Sequence, residues 1–263
     1  MNAGIGTLVK NRRLVWMLAV RQLSDRYLDT LGGAAWTVLN PLLLLAVYWY
    51  VFEVGLRFQS NSARPFVLVL FTGLIPWMTL ADAIVGATGA VTGRAYLVKK
   101  ISFPLEILPF ANVLAALGAH WIMLCLLGVA LAVYGVWPGS GLLLIPYYLF
   151  ALCALVSGPG LALAALNVFS RDVAQAVTVV MNIWFWTTPV VWPPETVSER
   201  FRWVLKYNPA NYVISGYRDN LLTGTLVPPD AGQTLYFWTV VVLLLGLGWF
   251  IFMRLKASFV DSV

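Results

Sequence analysis

Six stretches of this chain are each long and apolar enough to cross a lipid bilayer, and no other feature limits the fold as strongly. A helix rises ~1.5 Å per residue, so about 20 apolar residues cover roughly 30 Å of hydrocarbon. The stretches are 34–56, 66–89, 107–134, 142–168, 173–191 and 235–254. The first holds an uncharged run from Ala34 to Phe52. The second carries Gly73 and Pro76 in its middle and Asp82 near its end, and the third contains His120. The fourth is expected to break at Gly158-Pro159-Gly160. Lipid offers the backbone no hydrogen bonds, so spans of this length are helices. The expected fold class is an all-α polytopic membrane protein with six transmembrane helices in a single transmembrane domain, 1–263.

Composition agrees. Hydrophobic residues make up 60% of the chain and charged residues 11%, against about 45–50% and about 25% in soluble domains. Too few charges remain to cover a water-facing surface. That excludes a soluble enzyme, a disordered chain and a nucleic-acid module, despite a net charge of +6. Membrane lipid is the expected surrounding and nucleic acid is not an expected partner. Cys125 and Cys153 lie inside apolar runs and imply no disulfide framework, and no metal site is expected. No cleavable signal peptide is expected, since basic residues are spread through the first 33 positions.

Basic residues in short loops set orientation. With the N-terminus inside, 11 of the 17 Lys and Arg residues fall on the cytoplasmic side; Arg57, Arg64, Arg200, Arg202, Lys206 and Arg218 fall outside. The expectation is therefore the cytoplasmic (inner) membrane, with both termini cytoplasmic. Residues 8–31 mix Leu14, Trp16, Met17, Val20 and Leu23 with Arg12, Arg13, Arg21 and Arg26, which predicts a basic amphipathic helix lying in the interface. Residues 192–232 separate the last two spans and are punctuated by Pro193-Pro194, Asn208-Pro209 and Pro228-Pro229. They are read as short re-entrant helices in the outer leaflet, which survive at that depth only where protein or water shields them.

Several chemistries are missing from the sequence. There is no G-x-x-x-x-G-K-[S/T] phosphate loop, no G-x-S-x-G and no H-E-x-x-H. Asp82 and Glu53 approach the apolar zones only near span ends, so no carboxylate relay crosses the membrane. His120 is either a functional intramembrane group or a satisfied interhelical hydrogen-bonding residue. Uphill transport by this chain must draw its energy from a partner.

Five motifs appear in order along the chain. The first is Arg21-Gln22-Leu23, Arg26-Tyr27, Thr30, Gly33, Trp36 and Pro41. The second is Leu97-Val98-Lys99-Lys100-Ile101-Ser102-Phe103-Pro104-Leu105-Glu106-Ile107-Leu108-Pro109. Then come Asn167-Val168 with Arg171-Asp172-Val173; Trp184 with Thr188-Pro189-Val190 and Pro193; and Tyr207-Asn208-Pro209 with Ile214 and Gly216-Tyr217-Arg218. Together they resemble type-2 ABC exporter permeases, and within them the subunits that export O-antigen, teichoic acid or capsular polysaccharide. The resemblance implies a second copy of the chain and two copies of a separate ATPase subunit. It also implies a lipid-linked polysaccharide substrate, with ATP-Mg bound on the ATPase and no cofactor in this chain.

The segment 94–106 is the expected coupling element. Lys99 and Lys100 supply charge, Phe103 is an exposed aromatic knob, and Pro104 fixes where the third span starts. The plainer reading of the lysines is the positive-inside rule. Arg171 and Asp172 form the other cytoplasmic turn, where Asp172 either caps a helix N-terminus or meets the ATPase. The resemblance adds Arg21 and Arg26 to the coupling face. Aromatic groups at Tyr48-Trp49-Tyr50 and Trp184-Phe185-Trp186 form an interfacial belt or line a sugar path. The path residues expected are Tyr48, Trp49, Trp184, Trp186, Asn40 and Thr187. The expected function is the permease subunit of an ATP-driven polysaccharide exporter. The alternatives are a permease for drugs or other lipids, a membrane enzyme acting on polyprenyl-linked sugars, and a passive channel.

Overall fold

A computed structural model describes residues 5–25, 33–57, 64–98, 103–192, 194 and 197–259, and these are helical without strands. Helices α1 (Ile5–Lys10) and α2 (Arg12–Asp25) precede α3 (Trp36–Trp49), which continues as a π-helical segment, Tyr50–Gly55. Next come α4 (Phe66–Thr88), the short α5 (Ala95–Val98), α6 (Ile107–Val133), α7 (Ile145–Phe169) and α8 (Asp172–Thr187). The last three are α9 (Arg202–Lys206), α10 (Pro209–Leu222) and α11 (Ala231–Lys256). The ends that meet α2 and Lys256 are called the basic end below, and the opposite ends the far end.

Among the described residues, five segments are long and apolar enough to cross a membrane: Trp36–Gly55, Phe66–Thr88, Ile107–Val133, Gly139–Phe169 and Ala231–Lys256. The chain is a multi-pass membrane protein. The stretch 173–191, expected as a full span, forms the 16-residue α8 and then leaves the helix at Thr188, after about 24 Å of rise.

The second span is the hub. Of its most apolar window 78% is buried against protein, compared with 11% for the first span and 22% for the last. Helix α4 touches α3, α6, α7, α8 and α10. Gly73 permits the closest of these approaches, since a Cβ there would lie 2.6 Å from the Val190 carbonyl oxygen. Arg218 of α10 donates from Nη2 to the carbonyls of Pro189 and Val190 at 3.0 and 3.1 Å, fastening the chain beyond α8 at that crossing.

Pro159 does not break the fourth span: α7 runs unbroken from Ile145 to Phe169. Neighbouring helices can hold a proline-containing span in register, and here the flanking glycine brings such a neighbour close. A Cβ on Gly158 would sit 2.4 Å from the Leu244 backbone, and one on Gly248 would sit 2.0 Å from the Gly158 carbonyl oxygen. The two helices therefore meet backbone to backbone, as small residues allow in membranes.

Within 192–232, α9 is largely exposed whereas α10 is embedded. Asn208 caps α10 by accepting the Ala210 N–H at 3.0 Å. Helix α10 buries Val213, Ile214, Gly216, Tyr217, Asn220 and Leu221 and packs on α4 and α7. Tyr217 reaches His120, whose Nε2 lies 3.0 Å from the Tyr217 hydroxyl and whose Nδ1 lies 2.7 Å from Thr79 Oγ1. Of the two readings of His120, the interhelical one fits: both ring nitrogens are partnered, joining α4, α6 and α10. A second polar chain runs from Trp238 Nε1 to the Tyr147 hydroxyl at 3.0 Å, from Tyr147 to Tyr212 at 2.7 Å, and from Tyr212 to Thr234 at 3.0 Å.

Helix α2 packs lengthwise on α6. Val15 and Ala19 are buried, Val15 meeting Ile107 and Ala111, and Leu23 sits where Gly118 leaves room. Trp16, Met17 and Val20 remain exposed. The expected amphipathic helix thus divides its apolar residues between a protein face and an open face.

Replacing Gly248 by Leu forces α7 and α11 apart, at a cost of about 1–3 kcal/mol for overpacking. A lower thermal-unfolding midpoint of the purified protein in detergent, with membrane insertion intact, is the expected result.

Candidate coupling face and substrate path

Lys99, Lys100 and Arg26 lie outside the described residues. The chain on both sides of Lys99 and Lys100 is tied to the bundle. On the N-terminal side, Arg94 donates from Nη2 to Gln22 Oε1 at 3.0 Å. Gln22 donates in turn to Asn112 Oδ1, and the fully buried Asn112 donates to the Leu108 carbonyl at 3.0 Å. This chain of side chains links the turn after α4 to α2 and α6. It also explains why a membrane helix keeps an asparagine: its amide would otherwise be an unpaired polar group in low dielectric.

On the C-terminal side, Phe103 is half-buried, not an exposed knob. It packs against Val15, Ile107 and Ala111 and against the cluster of Leu105, Leu108 and Phe252. Pro104 lies two residues before Glu106, the cap residue of α6, rather than in the first turn of that helix; its carbonyl accepts the Ile107 N–H at 3.1 Å. Glu106 is 4% exposed at the start of α6, and its carboxylate takes Lys256 Nζ at 2.5 Å. Burying a carboxylate is costly without a partner. A lysine in the last turn of α11 supplies one while complementing that helix's negative end. The two ends of the segment are therefore fastened to α2, α6 and α11.

The second basic-end turn is organised by neighbours of the expected residues. Arg171 and Asp172 are exposed. The Asp172 N–H donates to Ser170 Oγ at 3.3 Å, and the Ala174 N–H donates to Asn167 Oδ1 at 3.2 Å. Asn167 also donates to Thr92 Oγ1 at 3.2 Å, tying the start of α8 to the turn after α4. Capping of α8 thus falls to Ser170 and Asn167, and Asp172 contributes its charge in the first turn. Arg21 is exposed on α2.

Toward the far end the expected path residues separate. Tyr48 and Trp186 come together: their ring centroids are 6.4 Å apart at 81°, and Tyr48 also lies 5.6 Å from Phe185. Trp186 is 55% exposed and Trp49 38%. Trp184 turns inward instead. Its indole N–H donates to Asn208 Oδ1 at 2.9 Å, and its ring meets Trp77 edge-on at 5.8 Å. Asn208 donates to Thr188 Oγ1 at 2.8 Å, which closes a fastening between α8 and α10. Thr187 is exposed, with its hydroxyl on the Trp184 carbonyl. Asn40 lines a cleft of about 230 Å³ between α3, α4 and α6, together with Thr37, Thr79, Asp82 and His120.

Helix α8 buries only Val177, Met181 and Phe185, a stripe at i, i+4 and i+8. Its remaining surface has two flanks. Gln175, Thr178, Asn182 and Trp186 follow one another at i, i+3, i+7 and i+11, and Ala176, Val179 and Ile183 lie beside them; all are exposed. Residues at these spacings share a face. A polar flank on a helix of the membrane bundle calls for water or a polar partner on that side.

Gln22, Asn112, Asn167 and Lys256 were not singled out in the sequence. Gln22 and Asn167 lie inside the quoted motifs, and Asn112 is a lone amide in an apolar span, which was the available signal. Lys256 pairs with Glu106 across 150 positions, and no local pattern discloses that.

Charge reversal tests the pair at the basic end. Glu106→Lys alone strands two cations together and is expected to remove most assembled protein. Combining it with Lys256→Glu restores assembly, as read by size-exclusion chromatography of the purified protein.

The family model of ABC-2 type transporters matches residues 13–222. The chain is 29% identical over 250 residues to the O-antigen export system permease protein RfbA of Klebsiella pneumoniae, covering 94% of each chain. It is 31% identical over 258 residues to the protein of that name from Myxococcus xanthus, covering 97% of each. The family match takes in the Gln22–Asn112–Arg94 link, Phe103 to Glu106, the polar flank of α8 and the whole of α10. By that match, and by relatives that parallel it over nearly the full length, the chain belongs to the ABC-2 type transporter family.

Proposed function

We propose that this chain is the permease subunit of an ATP-driven exporter of lipid-linked polysaccharide, of the O-antigen class, across the cytoplasmic membrane. The observation that carries the reading is the polar flank of α8, Gln175, Thr178 and Asn182 ending at Trp186 beside Tyr48. Hydroxyl-rich chains need hydrogen-bonding groups along their route, and aromatic rings to cover the apolar faces of sugar rings. The printed names of the relatives, which match this chain along nearly all its length, favour polysaccharide over drugs.

In this reading two copies face each other, and the sparsely buried first span and α8 border the path between them. The short α8 and the chain to 191 act as the fifth of six spans, and α10 dips back into the outer leaflet. The basic end is cytoplasmic and both termini lie there. Two copies of a separate ATPase dock on the segment 94–106 and on the turn at Arg171 and Asp172. Lys99, Lys100, Arg21 and Arg26 steer that docking by charge, with ATP-Mg held by the partner. For the ATPase to change the permease, its two states must bind this face with different free energies. Glu106–Lys256 and Gln22–Asn112 then pass the movement to the spans, because both ends of the segment are fastened to them.

Two measurements test this. Cysteine labels at Ser170 and Ser198, in a background lacking Cys125 and Cys153, are expected to react from the cytoplasmic and the outer side respectively; the reverse pattern rejects the orientation and the docking face together. Trp186→Ala is expected to slow export roughly fivefold, from loss of about 1 kcal/mol of ring contact. Trp184→Ala instead weakens the α8–α10 fastening and lowers the amount of folded protein. Surface polysaccharide normalised to permease abundance separates the two effects.

A further inference from the structure

Beyond the path between the copies, the far end carries a second recess, about 230 Å³ in volume and lined by Lys206, Tyr207, Asp230, Gly232, Gln233 and Tyr236. It lies where the end of α9 meets the start of α11. The two tyrosines form a corner, with ring centroids 5.2 Å apart at 72°. The corner is fixed from within, because the Tyr236 hydroxyl donates to the Tyr207 carbonyl at 3.0 Å. That leaves the Tyr207 ring 52% exposed as one wall. Asp230 holds the opposite side: its Oδ2 caps α11 by accepting the Gln233 N–H at 2.9 Å. Asp230, Gln233 and Lys206 are all exposed around the recess.

We propose that this recess binds one sugar ring of the polysaccharide as it emerges at the outer face. The inference rests on the polysaccharide-export reading above. Its chemistry excludes the other common occupants. An acyl chain has no use for a carboxylate, an amide and an ammonium group around its seat. A phosphate would meet Asp230 at short range. A sugar ring suits all of them, since its C–H face covers a tyrosine and its hydroxyls both donate to a carboxylate and accept from an ammonium or amide. The volume lies below that of sites for drug-sized ligands, which start near about 300 Å³, and so fits a single ring. The recess adjoins the α8–α10 fastening: Tyr207 precedes Asn208, whose side chain accepts the Trp184 indole N–H at 2.9 Å.

Saturation-transfer NMR tests this, using the permease with its ATPase in lipid nanodiscs. The probe is oligosaccharide released by mild acid from the producing strain's own surface polysaccharide. Transfer to the sugar is expected with the wild type and with Tyr207→Phe. It is expected to weaken about tenfold for Tyr207→Ala, by loss of ring contact, and for Gly232→Phe, which fills the recess. Gly232 stands in the exposed first turn of α11, so Gly232→Phe leaves the Tyr207–Tyr236 corner in place and tests the recess independently of Tyr207→Ala. Co-purification with the ATPase identifies intact complexes. Equal transfer from the wild type and both variants overturns the proposal, and so does transfer abolished by inorganic phosphate, which identifies an anion site. Failure of the export reading looks different: deleting the gene leaves surface polysaccharide unchanged, whatever the NMR gives.

Discussion

A bilayer offers no hydrogen bonds, and every polar side chain in the spans has to answer that. In the interior the answer is pairing. His120 is held at both nitrogens by Thr79 and Tyr217, Asn112 by Gln22 and Leu108, and Trp184 by Asn208. Apart from the Asn112–Leu108 bond within α6, each pair joins different elements, so satisfying the polar group also fixes the packing. On the open side of α8 the answer differs. Gln175, Thr178 and Asn182 are exposed, and Thr178 and Asn182 donate back to carbonyls of their own helix at 3.1 and 3.0 Å.

The same constraint shapes the basic end. The polar ties described there are part-buried, and each crosses between elements. Arg94 reaches α2, Gln22 reaches α6, and Glu106 reaches α11. An exposed ion pair contributes little and yields easily. Glu106 is buried, so separating it from Lys256 is costly and the two helices follow each other. Phe103, half-buried between α2 and the start of α6, belongs to this clamp as much as to any docking surface.

The fold class and five of the spans were legible in the sequence because length and apolarity decide them. Which span is central was not. The central second span is not the most apolar, with a mean hydropathy of 1.8 against 2.1, 2.1 and 2.2 for three others, and hydropathy does not separate a lipid-facing leucine from one facing protein. Gly73, Gly158 and Gly248 marked the crossings, but glycine in a span reads equally as a break, as the unbroken α7 illustrates. The aromatic group around Trp184 was legible as a cluster, and its directions were not: Trp184 and Trp186 lie two residues apart and so point to different faces. The motifs contain Gln22, Phe103, Glu106 and Asn167, which the folded chain ties to neighbouring helices at the basic end. Its mechanics depend on Lys256 and Asn112, distant residues that only the folded chain brings to Glu106 and Gln22.

The central claim is that the polar flank of α8 borders an aqueous path. It is tested most directly by spin-label accessibility in nanodiscs, in a background lacking Cys125 and Cys153. Labels at Thr178 and Asn182 are compared with one at Leu243, which is 66% exposed on α11. The account predicts that a water-soluble nickel relaxant reaches 178 and 182 while dissolved oxygen dominates at 243. An oxygen-dominated signal at 182 matching that at 243 would place the flank in lipid and contradict the path.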